Sequence, residues 1–245
     1  MAGNHVEDEF SEPVFFRYVM RFANGMERTF QVTLDPETLA FVPDQQIEPP
    51  DWTRLQVHQC EVCPFTPGDH PHCPVAVNLV DLIEFLKDLV SHEEVDVRVE
   101  SRERSYFAHT TLQRVAGSLM GIYMVTSDCP ILDKMRPMVE THLPFSTWQE
   151  TVYRVMSMYL LAQYFRMVNG LAPNWNLHGL VDYYAQVQQV NVSFSDRLRA
   201  IPTLTGDASL NAVCMLASNA TMASITIEEE DLAHWERIFM AHWGD

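Results

Sequence analysis

Residues 58–74, with the sequence HQCEVCPFTPGDHPHCP, bring three cysteines and three histidines into one short segment. Cys60 and Cys63 have the C-x2-C spacing, in which one tight turn directs two thiolates at the same cation, about 2.3 Å from a zinc ion. Cys73 follows ten residues after Cys63, and the intervening prolines and glycine favour a loop that folds around an ion. The segment therefore predicts a metal site, and the tetrahedral preference of zinc for nitrogen and sulfur ligands makes Zn²⁺ the expected metal.

A second pattern, the pairing of cysteine with proline, indicates the fourth ligand. Three of the five cysteines precede a proline. CPVAVNLVDLIEFL and CPILDKMRPM each place the cysteine at a predicted helix N-cap and the proline at the first helical position. The helix dipole favours the thiolate there, so Cys129 is expected to have the same setting as Cys73. The predicted metal ligands are Cys60, Cys63, Cys73 and Cys129.

A local site of three cysteines and one histidine is the alternative to the four-cysteine set. His70 completes a C-x2-C-x6-H-x2-C spacing, and His72 is the next candidate, although its side chain should diverge from that of its neighbour Cys73. Four cysteines also suit iron–sulfur clusters, so an iron–sulfur electron carrier is one alternative function.

Catalytic patterns are few. G-x-S-x-G, P-loop, G-x-G-x-x-G and H-E-x-x-H motifs are absent from the sequence. A thiol- or metal-dependent enzyme that uses Cys129 or Cys73 with His142 is the other alternative, but His142 precedes a predicted helix start, where such residues are usually structural. No catalytic residue is therefore predicted. The expected function is a non-enzymatic zinc-binding structural or protein-interaction (scaffold or assembly) protein, because four protein ligands leave no open position for a substrate.

Composition limits the partners. The 33 acidic and 16 basic residues give a formal charge of −17, which disfavours nucleic-acid binding. The apolar windows are shorter than the roughly 20 residues of a membrane span. The acidic start of the chain does not resemble a signal peptide. The number of cysteines, five, is odd and three of them are clustered, which favours reduced thiols over a disulfide framework. We therefore expect a cytoplasmic protein.

Hydrophobic periodicity predicts an α+β fold. Residues 1–13 are expected to be a flexible acidic terminus, residues 14–105 a strand-rich part with the metal loop, and residues 106–245 a helical part packed with it as one unit. Residues 14–34 should form a hairpin, followed by a short third strand near 34–43 and another strand at 95–101. One helix is expected over residues 74–90, and helices follow almost continuously from Thr110. The apolar stripe on the last helix predicts self-association or a protein partner, and consists of Leu232, Trp235, Ile238, Phe239 and Trp243.

The combination of QCEVCP…HCPVAVNL with GSLMGIYMVTSDCPIL…RPMVETHLPF…YLLAQYF resembles an uncharacterised bacterial family, a domain of unknown function. The resemblance spans about residues 15 to 215. It implies that the Cys-rich loop and the helical part belong to one unit, and it implies no substrate because no activity is known for the family.

Overall fold

Alternating apolar side chains form a sheet with one buried face. In the computed structural model, which describes residues 12–45, 47–228 and 232–244, the strands are β1 (Val14–Phe22), β2 (Glu27–Leu34), β3 (Glu94–Glu100) and β4 (Ser105–Thr111). Their order is β2-β1-β3-β4, and each neighbouring pair is antiparallel. The predicted α+β class is confirmed. The expected flexible terminus lies almost wholly outside the described residues.

The N-terminal hairpin turns where the sequence predicted. Gly25 has a φ of 85°, and the Asn24 side chain accepts a hydrogen bond from the Met26 amide at 2.9 Å. The predicted third strand is wrong: the Asp35 carboxylate accepts the Thr38 amide at 2.8 Å, and the turn leaves only an isolated bridge between Leu34 and Phe41. The strand predicted at 95–101 is β3, displaced by one residue.

The helical part starts later than the sequence predicted. The helices are α1 (Pro74–Asn78), α2 (Val80–Leu86), α3 (Leu112–Val125), α4 (Trp148–Val168), α5 (His178–Arg199), α6 (Ala208–Glu228) and α7 (Ala233–Trp243), with 3-10 helices at Asp51–Thr53 and Leu132–Val139. The expected single helix over 74–90 is broken at Leu79, and β4 occupies residues assigned to the start of a helix. The predicted capping box at α4 is confirmed, because Thr147 and Glu150 each bond the other's backbone amide.

One cluster of buried side chains joins the sheet to the helices. β1 contributes Tyr18 and Met20, and the cluster continues through Leu119 of α3, Val187 of α5 and Val213 of α6. Helix α6 packs against α5 and α3. The sheet and the helices therefore share one hydrophobic core, which fixes the Cys-rich loop and Cys129 relative to each other.

Helix α6 also contains a stretch, Ala208–Ile227, that is long and apolar enough to cross a membrane by length and composition alone. Ala212 and Val213 in this stretch are fully buried in the core. Core helices meet the same criterion, so the described residues contain no clear membrane span.

Candidate metal centre

Four cysteines from three parts of the chain line one small cavity. Cys60 and Cys63 come from the loop before α1, Cys73 immediately precedes α1, and Cys129 lies between α3 and the following 3-10 helix. The volume is about 20 Å³, which is room for one ion or one water molecule. The other lining residues are His58, Phe65, Pro74, Val75, Ile131, Val190, Phe194 and Arg197.

Backbone hydrogen bonds hold the Cys-rich loop closed at both ends. The Cys63 amide donates to the Cys60 carbonyl at 3.0 Å, which makes the C-x2-C segment a tight turn. The Cys73 amide donates to the Thr53 carbonyl at 2.8 Å, and the Leu55 amide donates to the Pro71 carbonyl at 2.9 Å. The two ends of the loop therefore lie side by side, with the cysteines held between them.

The predicted helix-start setting is confirmed for Cys73 and wrong in detail for Cys129. Cys73 is the N-cap of α1, in extended geometry, and Pro74 is its first residue. The 3-10 helix after Cys129 begins only at Leu132, with Ile131 as its N-cap. Cys129 still has a helix-like environment, because its carbonyl accepts the Asp133 amide at 2.9 Å.

Burial and the neighbouring thiols disfavour thiolates in the protein without metal. Burial, with smaller contributions from the charges of Cys73, Cys129 and Cys63, raises the pKa of Cys60 to about 12. Burial also raises the pKa of Cys73, against which Arg197 and the amides of Ala76 and Val75 act. These amides act electrostatically, because the Cys73 side chain forms no capping hydrogen bond. Burial likewise raises the pKa of Cys129, and the amides of Leu132 and Ile131 oppose it.

Arg197 is a buried cation at the wall of the same cavity, and it is only 2% exposed. Its Nη1 donates to the carbonyls of Trp52 and Arg54 at 2.9 and 2.6 Å, and its Nη2 donates to the carbonyl of Leu55 at 3.3 Å. Among the described residues no carboxylate forms an ion pair with it; the groups that favour its charged form are Cys73, Cys60 and Cys63.

Arg197 is not among the residues predicted from the sequence, although the sequence contains a signal for it. Val187, Val190 and Phe194 form the buried face of α5 at spacings of three and four residues. Arg197 continues that spacing, so an arginine falls where an apolar residue is expected. A charged residue on the buried face of a helix indicates a buried counter-charge.

The two alternative histidine ligands point to other partners. The ring of His70 stacks on that of Phe65 with centroids 3.6 Å apart. His72 Nδ1 forms a hydrogen bond of 2.7 Å with Thr53 Oγ1. Neither residue lines the cavity, whereas His58 does.

The four thiols line one cavity, but they do not have the mutual spacing of four ligands bound to one metal ion. Among the described residues, no three Cys, His, Asp or Glu side chains have the mutual geometry of a formed metal site. Rotation of a cysteine about χ1 moves its sulfur while the backbone stays in place. All five cysteines lie in the described part of the chain and none forms a disulfide, so the four sulfurs in the cavity are chemically able to coordinate.

His142 lies apart from the thiols. Its Nε2 forms a hydrogen bond of 2.6 Å with Tyr18 Oη, which is 2.8 Å from Ser118 Oγ. His142 lines a second, larger cavity, and none of the four cysteines lines that cavity. The structure therefore does not bring together the cysteine and histidine of the proposed thiol enzyme. No local pattern of residues indicates the long-range contact between His142 and Tyr18.

Comparison with known proteins identifies a family whose function is unknown. The family described as "Domain of unknown function (DUF6901)" matches residues 16–240. The chain belongs to this family. The match confirms the resemblance and extends it about 25 residues beyond the expected end at 215. No curated protein and no solved structure matches the chain.

Proposed function

We propose that this protein is a non-enzymatic assembly protein of the cytoplasm whose four clustered cysteines bind one structural Zn²⁺ ion. Cys60, Cys63, Cys73 and Cys129 would hold the metal as thiolates. The ion would join the Cys-rich loop to the segment after α3, so metal binding would contribute directly to folding.

The buried charge of Arg197 carries this proposal. A guanidinium that is bonded only to backbone carbonyls still needs an anion nearby to offset its loss of hydration. Zinc with four thiolates has two net negative charges, and Arg197 would neutralise one of them. The arginine and the thiols line the same cavity, which supports a site that is anionic when complete.

The size of the cavity favours a single ion over an iron–sulfur cluster. A volume of about 20 Å³ holds one water-sized species. A cluster of several irons and sulfides is larger, so it would require the loop and the segment around Cys129 to separate. Zinc therefore fits the packing around the thiols better.

Two features support a structural role for the metal. Four cysteine ligands close the coordination sphere, so no position remains for a substrate. Burial also keeps the metal-free thiols protonated, because it raises the pKa values of Cys60, Cys73 and Cys129, and a protonated thiol is a poor nucleophile.

Exposed apolar helices support the assembly role. The second half of α4 exposes Leu161, Phe165 and Val168 by more than half of their surface. Within its described residues α7 buries no side chain, and Trp243 is 80% exposed. Patches of this kind mark interaction surfaces. We expect the partner to be a second copy of the chain.

Zinc content of purified variants tests the metal site. Native mass spectrometry or elemental analysis should give close to one zinc per chain for the wild type and for His70→Ala. Cys129→Ser should bind zinc more weakly and unfold more easily, because the metal joins distant segments. Cys214→Ser is the matched control, since Cys214 is exposed and outside the cavity. Full zinc retention in Cys129→Ser together with zinc loss in His70→Ala would instead indicate the local site of three cysteines and one histidine.

A further inference from the structure

A second cavity lies between α3, the 3-10 helix at Leu132–Val139, α4, α5 and α6. Its volume is about 230 Å³, enough for on the order of ten non-hydrogen atoms. Most of the lining is apolar, and four methionines contribute to it: Met124, Met135, Met138 and Met215. Methionine side chains adapt to the shape of a flexible apolar ligand.

The charged residues of this cavity are all basic. Arg114 and Arg154 line it, and no aspartate or glutamate among the described residues does, although the chain has 33 acidic residues. Arg154 Nη2 donates to the carbonyls of Met138 and Thr141 at 3.0 and 2.9 Å, and Arg114 Nη2 donates to the Phe145 carbonyl at 3.3 Å. In the described part of the chain neither guanidinium has a carboxylate within ion-pair distance. A basic lining of this kind attracts an anionic group more than a cationic one.

The carboxylate nearest in effect to Arg154, that of Glu150, favours the charged guanidinium but is already hydrogen-bonded to another residue. Glu150 accepts hydrogen bonds from the Thr147 amide and hydroxyl at 2.7 and 2.9 Å as part of the capping box. Burial is the main influence on Arg154 and lowers its pKa, so an anion placed beside it would restore a favourable environment for the charge.

We propose that this cavity binds a monocarboxylic acid of about eight carbons, the carboxyl carbon included. The carboxylate would interact with Arg154 and Arg114, which offer the fork of N–H donors that carboxylates accept. The apolar body would lie among the four methionines. This inference does not depend on the metal centre, because the two cavities have no cysteine in common.

Isothermal titration calorimetry of the full chain with octanoate tests the proposal, with octan-1-ol and octylammonium as probes of equal length. Octanoate should bind in the micromolar range, octan-1-ol at least about tenfold more weakly, and octylammonium not detectably. Equal affinity for octanoate and octan-1-ol, or no octanoate binding at all, would overturn the proposal.

Three variants locate the site. Arg154→Met should weaken octanoate binding about tenfold or more, and Arg114→Met several-fold, because each removes a charge-assisted contact. Asn219→Trp should block binding by filling the cavity from its exposed edge. Arg166→Met, which changes an exposed arginine of α4 outside the cavity, should bind octanoate like the wild type.

The design remains decisive if one variant does not fold. Arg154 also supports two carbonyls, so Arg114→Met and the comparison of the three probes on the wild type suffice without it. Unchanged octanoate affinity in a folded Arg114→Met together with a folded Asn219→Trp would overturn the proposal. Zinc content, measured on the same samples, should be unchanged in all four variants, which separates failure here from failure of the metal site.

Discussion

Removal of the Arg197 charge should destabilise the protein more than any surface substitution on the same helix. Arg197→Met keeps much of the length of the side chain but removes every donor. The carbonyls of Trp52 and Arg54 lose hydrogen bonds of 2.9 and 2.6 Å, and that of Leu55 loses a longer one of 3.3 Å. If the cavity holds a zinc–thiolate centre, that centre also loses the guanidinium in its lining.

The expected loss is about 3–5 kcal/mol of unfolding free energy in the zinc-loaded protein. Breaking a buried charge interaction by removing one partner costs this amount, and unpaired buried carbonyls account for about 1–3 kcal/mol of it. Without a buried anion the expected loss is smaller, because only the carbonyl hydrogen bonds are lost and removal of the desolvated charge offsets part of that cost.

Urea unfolding at constant free zinc measures this loss, and two comparisons separate the effect of the anionic centre from other effects. Arg199→Met on the same helix removes an exposed arginine paired with Asp196 at 2.7 Å and should cost less than about 1 kcal/mol. In a Cys129→Ser background, Arg197→Met should cost less than in the wild type, with a coupling of about 0.5–3 kcal/mol. Equal costs in both backgrounds would refute an anionic centre beside Arg197.

Three further predictions concern the fold, pH dependence and assembly. Gly206→Ala should lower the free energy of unfolding in urea by about 1–3 kcal/mol, because the added Cβ would lie 2.2 Å from the Leu89 carbonyl oxygen. Gly68→Ala, where the nearest atom to the added Cβ is at 3.9 Å, should be near neutral. Similar stabilities of the two variants would contradict this packing. Burial, with a smaller effect of Arg154, lowers the pKa of His142 from 6.5 to about 3, so the free energy of unfolding should fall as the pH drops below 6.5. The fall should be less than about 1.4 kcal/mol per pH unit, because the ring partly faces the cavity. The free energy of unfolding of His142→Gln should depend less steeply on pH than that of the wild type between pH 6.5 and 4.5. Light scattering at micromolar concentrations should show dimers that Trp243→Ser weakens, and a monomeric wild type would reject self-association.

The sheet shows which structural signals the sequence contains. β1 alternates buried Phe16, Tyr18 and Met20 with more exposed residues, so its period was readable, and Asn24 with Gly25 indicated the turn. β4 was missed because it is an edge strand without a buried residue, and Phe107 within it is 75% exposed. Its position depends on backbone pairing with β3, which leaves no apolar pattern in the sequence.

The candidate metal centre was partly readable for similar reasons. The C-x2-C spacing and the Cys–Pro pairs are local, so they indicated which thiols to consider. The proximity of Cys129 to the loop results from packing of the sheet and helices around a common core, and local spacing cannot specify it. The same limit applies to the Tyr18–His142 hydrogen bond, whose partners are separated by 124 positions.

X-ray absorption spectroscopy at the zinc K-edge, on protein purified without added metal, tests the four-cysteine centre most directly. A single shell of four sulfurs at about 2.3 Å is the expected result, with close to one zinc per chain. A shell that includes a nitrogen at about 2.0 Å would indicate that a histidine is a ligand in place of one of the four cysteines. An iron edge with a brown protein, or protein without metal, would contradict the structural zinc site.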